Sequence, residues 1–152
     1  MPEDADAARA TVVDQFRGTP YLARMLEVLD SAQRFDDPEF LCLLAGPAES
    51  GAIDGLVLFG TVLGARLATK VHAVVAPDPR VQLALLDVVR EACVRSLERL
   101  VVCELPHDTS FDVAAVALVA SGYREEGRID DFVRDGVALR LLVWRPAMSP
   151  TA

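Results

Sequence analysis

Two side chains that could transfer protons stand in two apolar segments near the middle of the sequence. Glu104 lies in VVCEL, where apolar neighbours could exclude water from its carboxylate and raise its pKa towards that of a general base. His72 lies in KVHAVV and could accept a proton near neutral pH. The alternatives are a solvated carboxylate at a strand end and a histidine with a structural role. Both residues are candidate catalytic groups.

The turn APDPR between these two segments is a second candidate site. Peptide N–H groups at the start of the helix that follows it can bind an anion without any charged side chain. Phosphate-binding turns usually contain glycine, because the ligand must approach the backbone closely, whereas Val81, Leu83 and Leu85 stand here. The backbone of this turn permits an anion site, and its side chains oppose one.

Two other polar groups have simpler explanations than catalysis. The loop 106–110, PHDTS, places a histidine beside possible nucleophiles, but neighbours in sequence rarely form a triad and helix capping accounts for its residues. The acidic side chains within 125–131 could attract an amine substrate. Such a run is more often a solvated strand face.

The composition narrows the class of protein. A length of 152 residues predicts one domain, which we place at residues 1–145 before a disordered tail at 146–152. The net charge of −8 and the lack of a basic cluster argue against nucleic acid as a partner. The acidic N-terminus and the lack of a long apolar run predict a cytoplasmic protein without a membrane span. The three cysteines stand in apolar runs without metal-ligand spacing, so we expect buried free thiols and no bound metal.

The hydrophobic periodicity changes along the chain from helical to alternating and back. Thr19-Pro20 is a helix start signal, and Asp36-Asp37-Pro38 a stop signal. The segment 70–105 predicts a strand, an amphipathic helix and a second strand, with the two strands as parallel neighbours. The predicted elements are helices at 4–16 and 19–34, strands at 40–44, 53–62 and 66–76, a helix at 80–99, a strand at 100–105, a helix at 111–122, and strands at 123–131 and 136–144.

This order, α-α-β-β-β-α-β-α-β-β, predicts an α+β fold with a mixed, mostly antiparallel sheet of about six strands flanked by helices. We expect a ligand where the central strands diverge beside the middle helix. The apolar face of that helix should point at the sheet and is predicted to consist of Leu83, Leu86, Val89, Cys93 and Leu97.

The sequence resembles the GNAT superfamily of acyl-CoA-dependent N-acetyltransferases over roughly residues 39–145. The resemblance rests on the hairpin region from Ile53 to Gly60, on VHAVVAPDPR with its following helix, and on ASGYREEGRIDDFVRDGVALRLLVW with its Gly122-Tyr123 pair. The strand that usually precedes the opening helices of this family is not evident. The resemblance implies the α+β fold given above.

The resemblance also implies a site for acetyl-CoA. The family holds the pyrophosphate on the amides of an Arg/Gln-x-x-Gly-x-Gly/Ala turn, of which Arg80 matches the first position, while Leu83 and Leu85 stand at the two small positions. The usual tyrosine acid aligns with Leu118, and an asparagine common in the family aligns near Phe111. The implied binding residues are Val74, Val75, Arg80, Val81, Gln82, Leu83, Ala84 and Leu85, with Leu83 expected to turn towards the core and Leu85 not.

Two functions follow from these observations. The first is transfer of an acyl group from acyl-CoA to an amine of a small molecule or a protein by direct attack. The second is a non-catalytic GNAT-like module for binding or dimerisation that has lost acetyl-CoA binding, and the apolar opening helices and last hairpin also allow a homodimer. Titration with acetyl-CoA separates the first function from the second.

Overall fold

The computed structural model of this chain describes residues 2–33, 41–47, 52–62 and 67–147. The order of helices and strands is the predicted one, with a short 3-10 helix added before the last α-helix. The elements are α1 (Pro2–Phe16), α2 (Leu22–Gln33), β1 (Leu41–Ala45), β2 (Gly55–Thr61), β3 (Ala68–Val75), α3 (Pro79–Arg95), β4 (Leu100–Pro106), the 3-10 helix (Thr109–Phe111), α4 (Asp112–Ala120), β5 (Arg124–Arg134) and β6 (Val137–Trp144).

The strands form one sheet in the order β1-β2-β3-β4-β6-β5. β3 and β4, which α3 connects, are parallel neighbours, and the other neighbouring pairs are antiparallel. Both the mixed character of the sheet and the parallel central pair are therefore confirmed. The helices pack as two pairs, α1 with α2 and α3 with α4. A buried apolar core that includes Val12, Leu29, Leu56 and Leu118 lies between the helices and the sheet.

The opening helices differ from prediction at their starts. α1 begins at Pro2, earlier than Asp4, because proline is well tolerated in the first turn of a helix. α2 begins at Leu22, since Thr19 instead closes the turn after α1, its hydroxyl donating to the Phe16 carbonyl at 2.8 Å. The predicted stop at Asp36-Asp37-Pro38 lies outside the described residues, as do Arg34, the turn at 63–64 and the tail from 148.

The end of α3 corrects one prediction about the core. α3 ends at Arg95, and Leu97 is 78% exposed rather than packed on the sheet. Leu97 follows the helix with a φ of +56°, and the N–H of Glu98 donates back to the Cys93 carbonyl at 2.9 Å. This left-handed turn satisfies carbonyls at the helix end and points Leu97 away from the sheet.

The C-terminal hairpin is longer than predicted. β5 runs to Arg134, because its pairing with β6 resumes after an irregularity that follows Ile129. The turn Asp135-Gly136 closes the hairpin as expected, with Gly136 at a φ of +77°. In the parts of the chain that the structure describes, no helix combines the length and the apolar character needed to cross a membrane.

Candidate functional site

The two parallel strands separate after their fourth paired residue. The β3–β4 register runs from Ala68–Leu100 to Val71–Cys103, although β3 continues to Val75 and β4 to Pro106. Among the described residues, this last part of β3 keeps β2 as its neighbour but has no ladder partner on the β4 side. Backbone donors and acceptors of β3 therefore face the opening between the strands, where a ligand was predicted.

His72 lies at the start of this opening and interrupts the pairing of β3 with β2. Ala73 pairs with Leu58 and Val71 with Phe59, so the register shifts by one residue at His72, which forms a β-bulge. Such a bulge bends the strand and changes the direction of its peptide groups. The side chain of His72 is half-buried. The bulge is a feature that the sequence did not predict.

A cleft of about 670 Å³ lies at the end of β3, beside the tip of α3 and against α1. Its volume is in the range of small-molecule sites. The three acidic residues Asp14, Asp54 and Asp78 line this cleft, and their carboxylates give it a negative charge. The other lining residues are Thr11, Gln15, Ile53, Val75, Pro77 and Val81.

The tip of α3 is capped by the chain itself. Asp78 is the N-cap residue, and its Oδ1 accepts from the backbone N–H of Arg80 at 2.8 Å. The Arg80 guanidinium also donates to Asp78, from Nε at 3.1 Å to each carboxylate oxygen and from Nη2 at 2.7 Å. These contacts with Arg80 lower the pKa of Asp78, so the carboxylate stays charged at neutral pH. A carboxylate therefore occupies the position that an anionic ligand would take.

The other predicted binding residues divide between core and surface. Leu83 is half-buried and packs against the core, as expected, whereas Leu85, which was expected to turn away from the core, is 3% exposed and lies within it. The reason is the rotation of α3 about its axis, which also buries Gln82 and exposes Ala84. Gln82 donates from Nε2 to the Ala76 carbonyl at 2.8 Å. Val74 and Val75 are buried on β3, and Val81 borders the cleft.

Gly55 allows β2 to approach the end of β3 and the tip of α3. A Cβ atom built at Gly55 would lie 2.6 Å from Cβ of Ala76, 2.8 Å from the Val75 carbonyl oxygen and 3.0 Å from Cγ1 of Val81. Two of these neighbours belong to the backbone or to an alanine, which cannot rotate away. This wall of the cleft depends on the absence of a side chain at Gly55.

Gly55→Ala is therefore expected to lower the free energy of unfolding by about 1–3 kcal/mol, because the strand ends must separate. Urea denaturation measures this loss. Gly127→Ala is the matched control, since its Cβ would lie 3.6 Å from the nearest atom, a normal contact. Equal stability losses in the two variants would show that the close approach at Gly55 is easily relieved.

Glu104 is placed on the more exposed side of β4. Its Oε2 accepts from Lys70 Nζ at 2.7 Å, and its side chain is 46% exposed. The apolar residues that flank it in sequence, Cys103 and Leu105, are buried on the other side of the strand. The surroundings of Glu104 match the alternative of a solvated carboxylate, because alternation along a strand sends its apolar sequence neighbours to the opposite face.

The position aligned with the family's tyrosine acid is a fully buried core position. Leu118 is 0% exposed in α4. The nearby Tyr123 is 2% exposed, and its hydroxyl has no hydrogen-bond partner among the described residues. Burial raises the pKa of Tyr123 well above its usual range, with the thiols of Cys103 and Cys93 as further causes. Neither residue offers a solvent-facing acid.

A third group of side chains joins the loop after β4, the β5–β6 hairpin and the turn between α1 and α2. The sequence suggested only helix capping for the residues of the loop. Asp108 Oδ1 accepts from the backbone N–H of Ser110 at 3.0 Å and from its hydroxyl at 2.8 Å. Arg134, from the β5–β6 hairpin, donates from Nη2 to Asp108 Oδ2 at 2.6 Å. The hydroxyl of Tyr21, from the α1–α2 turn, lies beside both groups. Asp108 therefore fixes the hairpin to the loop after β4.

The Ser110 N–H and hydroxyl, followed by Arg134, lower the pKa of Asp108 to about 2. Since an unfolded aspartate has a pKa of about 3.9, this group adds stability above about pH 4 that is lost as the pH falls towards 2. Asp108→Asn should therefore destabilise the protein at pH 7 and lose most of this effect near pH 2. Unfolding followed at several pH values tests this. Asp135→Asn is the control, because Asn-Gly suits the hairpin turn as well as Asp-Gly does.

The acidic run of β5 is engaged within the hairpin region. Glu126 pairs with Arg145, and Asp130 accepts from Arg128 at 2.9 Å. Asp131 accepts from the N–H of Gly136 at 2.7 Å. These contacts support the interpretation of a solvated strand and turn, and none of these three residues lines the cleft.

The three cysteines are free, as predicted, and Cys93 and Cys103 are buried. Burial raises the pKa of Cys42 to about 11 and that of Cys103 to about 12, so neither thiol is a nucleophile at neutral pH. In the described residues, no three His, Cys, Asp or Glu side chains are grouped to hold a metal ion. The candidate proton-transfer groups His72 and Glu104 lie on the two strands that border the opening.

No protein-family model and no curated protein sequence matches this chain. Solved structures do. A GNAT-family protein from Desulfovibrio desulfuricans is 16% identical, with a TM-score of 0.80 over 95% of this chain and 94% of its own. The aminoglycoside 6'-N-acetyltransferase from Enterococcus faecium is 11% identical, with a TM-score of 0.76 over 99% and 95%.

A Bacillus anthracis protein solved in complex with acetyl coenzyme A is 10% identical, with a TM-score of 0.62 over 76% of this chain and 68% of its own. The first two likenesses cover nearly the whole of this chain. Among the described residues the sheet has six strands, in the order β1-β2-β3-β4-β6-β5. Strand order, the parallel central pair and this coverage together identify the architecture, and the chain has the GNAT fold.

Proposed function

We propose that this protein is an N-acyltransferase that transfers an acyl group from an acyl-CoA-type thioester to an amine. The observation that carries the proposal is the opening between β3 and β4, whose register ends at Val71–Cys103 although β3 continues to Val75 and β4 to Pro106. An amide-containing arm of a thioester donor can add to such an edge through backbone hydrogen bonds. The amine class is supported by the Enterococcus faecium structural neighbour, an aminoglycoside acetyltransferase.

The reaction needs positioning more than side-chain chemistry. The nitrogen lone pair of a neutral amine attacks the thioester carbonyl carbon, the C–N bond forms, the C–S bond breaks, and the thiolate leaves with its electron pair. Backbone N–H groups of β3 near the His72 bulge would bind the carbonyl oxygen as its charge develops. The strand and its bulge would thereby supply most of the rate enhancement.

The proton of the attacking amine must pass to a base. Glu104 is our candidate, with Lys70 as its ion-pair partner, and His72 is the second. The thiolate would take its proton from water, because Leu118 has no proton to donate. We therefore expect a slow transferase. We place its amine acceptor, from a small molecule or a protein, on the β4 side of the opening.

Calorimetric titration with acetyl-CoA tests this function. We expect a dissociation constant in the millimolar range or somewhat below, given the acidic cleft and the missing glycines. Incubation with acetyl-CoA and a panel of primary amines, followed by thiol release, then measures turnover. Glu104→Gln should reduce turnover while leaving acetyl-CoA affinity unchanged. Absence of both heat and thermal shift at millimolar acetyl-CoA would remove the transferase function.

A non-catalytic GNAT-fold binding module is the second candidate. It is favoured by the contact of Asp78 with the N–H of Arg80, since the amides that hold a diphosphate elsewhere in this fold are engaged by the chain itself. In that case the cleft binds a ligand but releases no thiol product. Binding of acetyl-CoA without turnover by any amine tested would favour this candidate over the enzyme.

A further inference from the structure

We infer that this chain discriminates against the diphosphate of its thioester donor, and that it accepts an uncharged acyl-pantetheine thioester at least as well as acyl-CoA, because Asp78 holds the anion position at the tip of α3. The inference rests on the proposed function. It concerns the donor of the same reaction and names Asp78, in the cleft at the end of β3, as a specificity-determining residue.

The first step is the occupancy of the amides. In the first turn of α3, the N–H of Arg80 donates to the Asp78 carboxylate at 2.8 Å, and the N–H of Val81 donates to the Asp78 carbonyl at 3.0 Å. A phosphate oxygen could reach the Arg80 amide only after the carboxylate has left. The carboxylate is held in place by Arg80, whose guanidinium contacts both of its oxygens.

The second step is whether the positive charge of Arg80 is available to a phosphate. Arg80 is the one residue here that matches the family's phosphate-binding turn, and a guanidinium without a partner could bind a phosphate. Here its charge is neutralised by Asp78, two residues away, at 2.7 Å between Nη2 and Oδ2. The pair offers no net positive charge to a phosphate, and Arg80 keeps the Asp78 carboxylate on the amide that a phosphate would otherwise reach.

The third step is the charge of the walls. Asp14 from α1 and Asp54 from the start of β2 line the same cleft as Asp78. Asp14 pairs with Arg17 at 3.1 Å, but Arg17 does not line the cleft. Among the described residues that line the cleft, none is a lysine, an arginine or a histidine. Arg80 lines an adjoining pocket, but its charge is paired with Asp78. A diphosphate entering the cleft would therefore meet the carboxylates of Asp14 and Asp54 without a free cation beside them.

The fourth step is the part of the donor that does fit. Pantetheine is an uncharged chain with two amides, and its thioester end carries all of the reacting atoms. The part of β3 beyond its register with β4 offers backbone groups for those amides, and Ile53, Val75 and Pro77 offer apolar surface in the cleft. None of these contacts is opposed by the aspartates, since the ligand has no charge.

The experiment compares S-acetylpantetheine with acetyl-CoA by calorimetry on the full chain. We expect the wild-type protein to bind acetylpantetheine with equal or higher affinity. We also expect the affinity for acetyl-CoA to rise with added salt, because screening weakens repulsion between like charges. Tighter binding of acetyl-CoA, by about tenfold or more, would overturn the inference while leaving the transferase function intact.

Two matched variants locate the effect. Asp78→Asn and Asp54→Asn each remove one negative charge from the same cleft, but only Asp78 contacts an amide of α3. We expect Asp78→Asn to raise acetyl-CoA affinity by about tenfold or more, Asp54→Asn to raise it only by a few-fold, and neither to change acetylpantetheine affinity. Asparagine can still cap the helix, so the fold should be retained.

The remaining outcomes are also decisive. Equal gains in the two variants would show that Asp78 acts only through its charge, which contradicts the assigned occupancy of the amide. A rise in acetylpantetheine affinity in Asp78→Asn would also contradict the inference, since that ligand has no phosphate to occupy the Arg80 amide. If neither donor binds the wild-type protein, the inference and the transferase function both fail.

Discussion

Replacing Leu85 with glycine is expected to lower the free energy of unfolding by about 3–6 kcal/mol, which combines a large-to-small core substitution with the poor helix propensity of glycine. Leu85 is 3% exposed and belongs to the core cluster between α3 and the sheet. Its side chain therefore contributes to the stability of the whole domain. Leu85, which aligns with a glycine of the family's phosphate-binding turn, is therefore a core residue in this chain.

Leu83→Gly is the matched comparison, because it carries the same helix-propensity penalty in the same helix. Leu83 is half-buried, so we expect a smaller loss of about 1–3 kcal/mol. Urea denaturation of both variants, analysed with a common slope, measures the difference. Similar losses in the two variants would mean that Leu85 is not the better packed residue. If Leu85→Gly does not fold, Leu85→Ala gives the same comparison with less damage.

This result bears on any attempt to strengthen acyl-CoA binding. Glycines at both positions would remove core packing at Leu85 while opening backbone at Leu83, and the loss of stability would obscure a change in affinity. Leu83→Gly together with Asp78→Asn is the better variant, since Leu83 packs against the core but is only half-buried, so its loss should cost less stability than the loss of Leu85. Because Leu85 belongs to the core, a single substitution there cannot recreate the glycine of the family pattern without a loss of stability.

Phe111→Ala is expected to destabilise the protein by about 3–5 kcal/mol, as removal of a buried aromatic ring usually does. Phe111 is 5% exposed and packs against two other rings, with its centroid 5.4 Å from that of Phe16 and 4.8 Å from that of Tyr21. The three rings come from α1, the α1–α2 turn and the 3-10 helix before α4. The cluster therefore connects the two helix pairs at the end of β4.

Thermal and urea unfolding measure this loss, and Val113→Ala is the control. Val113 is 40% exposed two residues later in α4, so its truncation should cost less than about 1 kcal/mol. Phe111→Leu keeps part of the apolar contact and should fall between the two. A loss below about 1 kcal/mol in Phe111→Ala would show that the aromatic cluster does not hold the helix pairs together. Tyr21 would then also be free to leave Asp108 and Arg134.

The pattern of the sequence was sufficient to predict the order of elements and the parallel central pair. Apolar periodicity in α3 and β-branched runs in β3 and β4 are local features, and a helix between two such runs makes them parallel neighbours. Boundaries were less predictable, since the end of α3 depends on the backbone turn at Leu97. The cytoplasmic location and the homodimer stay predictions.

Only the location of the candidate site could be predicted from the sequence, and most of its residues could not. The break in pairing after Val71 and Cys103 lies where the sequence suggested a ligand, but the extra residue His72 leaves no signal in composition or spacing. Glu104 could be found from sequence, whereas its partner Lys70 could not, because the two strands meet only in the folded sheet. Asp14 and Asp54 had no sequence signal at all and reach the cleft through α1 and β2.

By itself, the sequence determined the fold, the missing glycines and the missing tyrosine, because these are properties of residue types in order along the chain. Only the tertiary structure decided that Leu85 belongs to the core and that Asp78 occupies the helix tip. Both depend on the rotation of α3 against the sheet and on which side chains from distant segments meet there. The charge of a cleft is a sum over its walls, and the walls come together only when the chain folds.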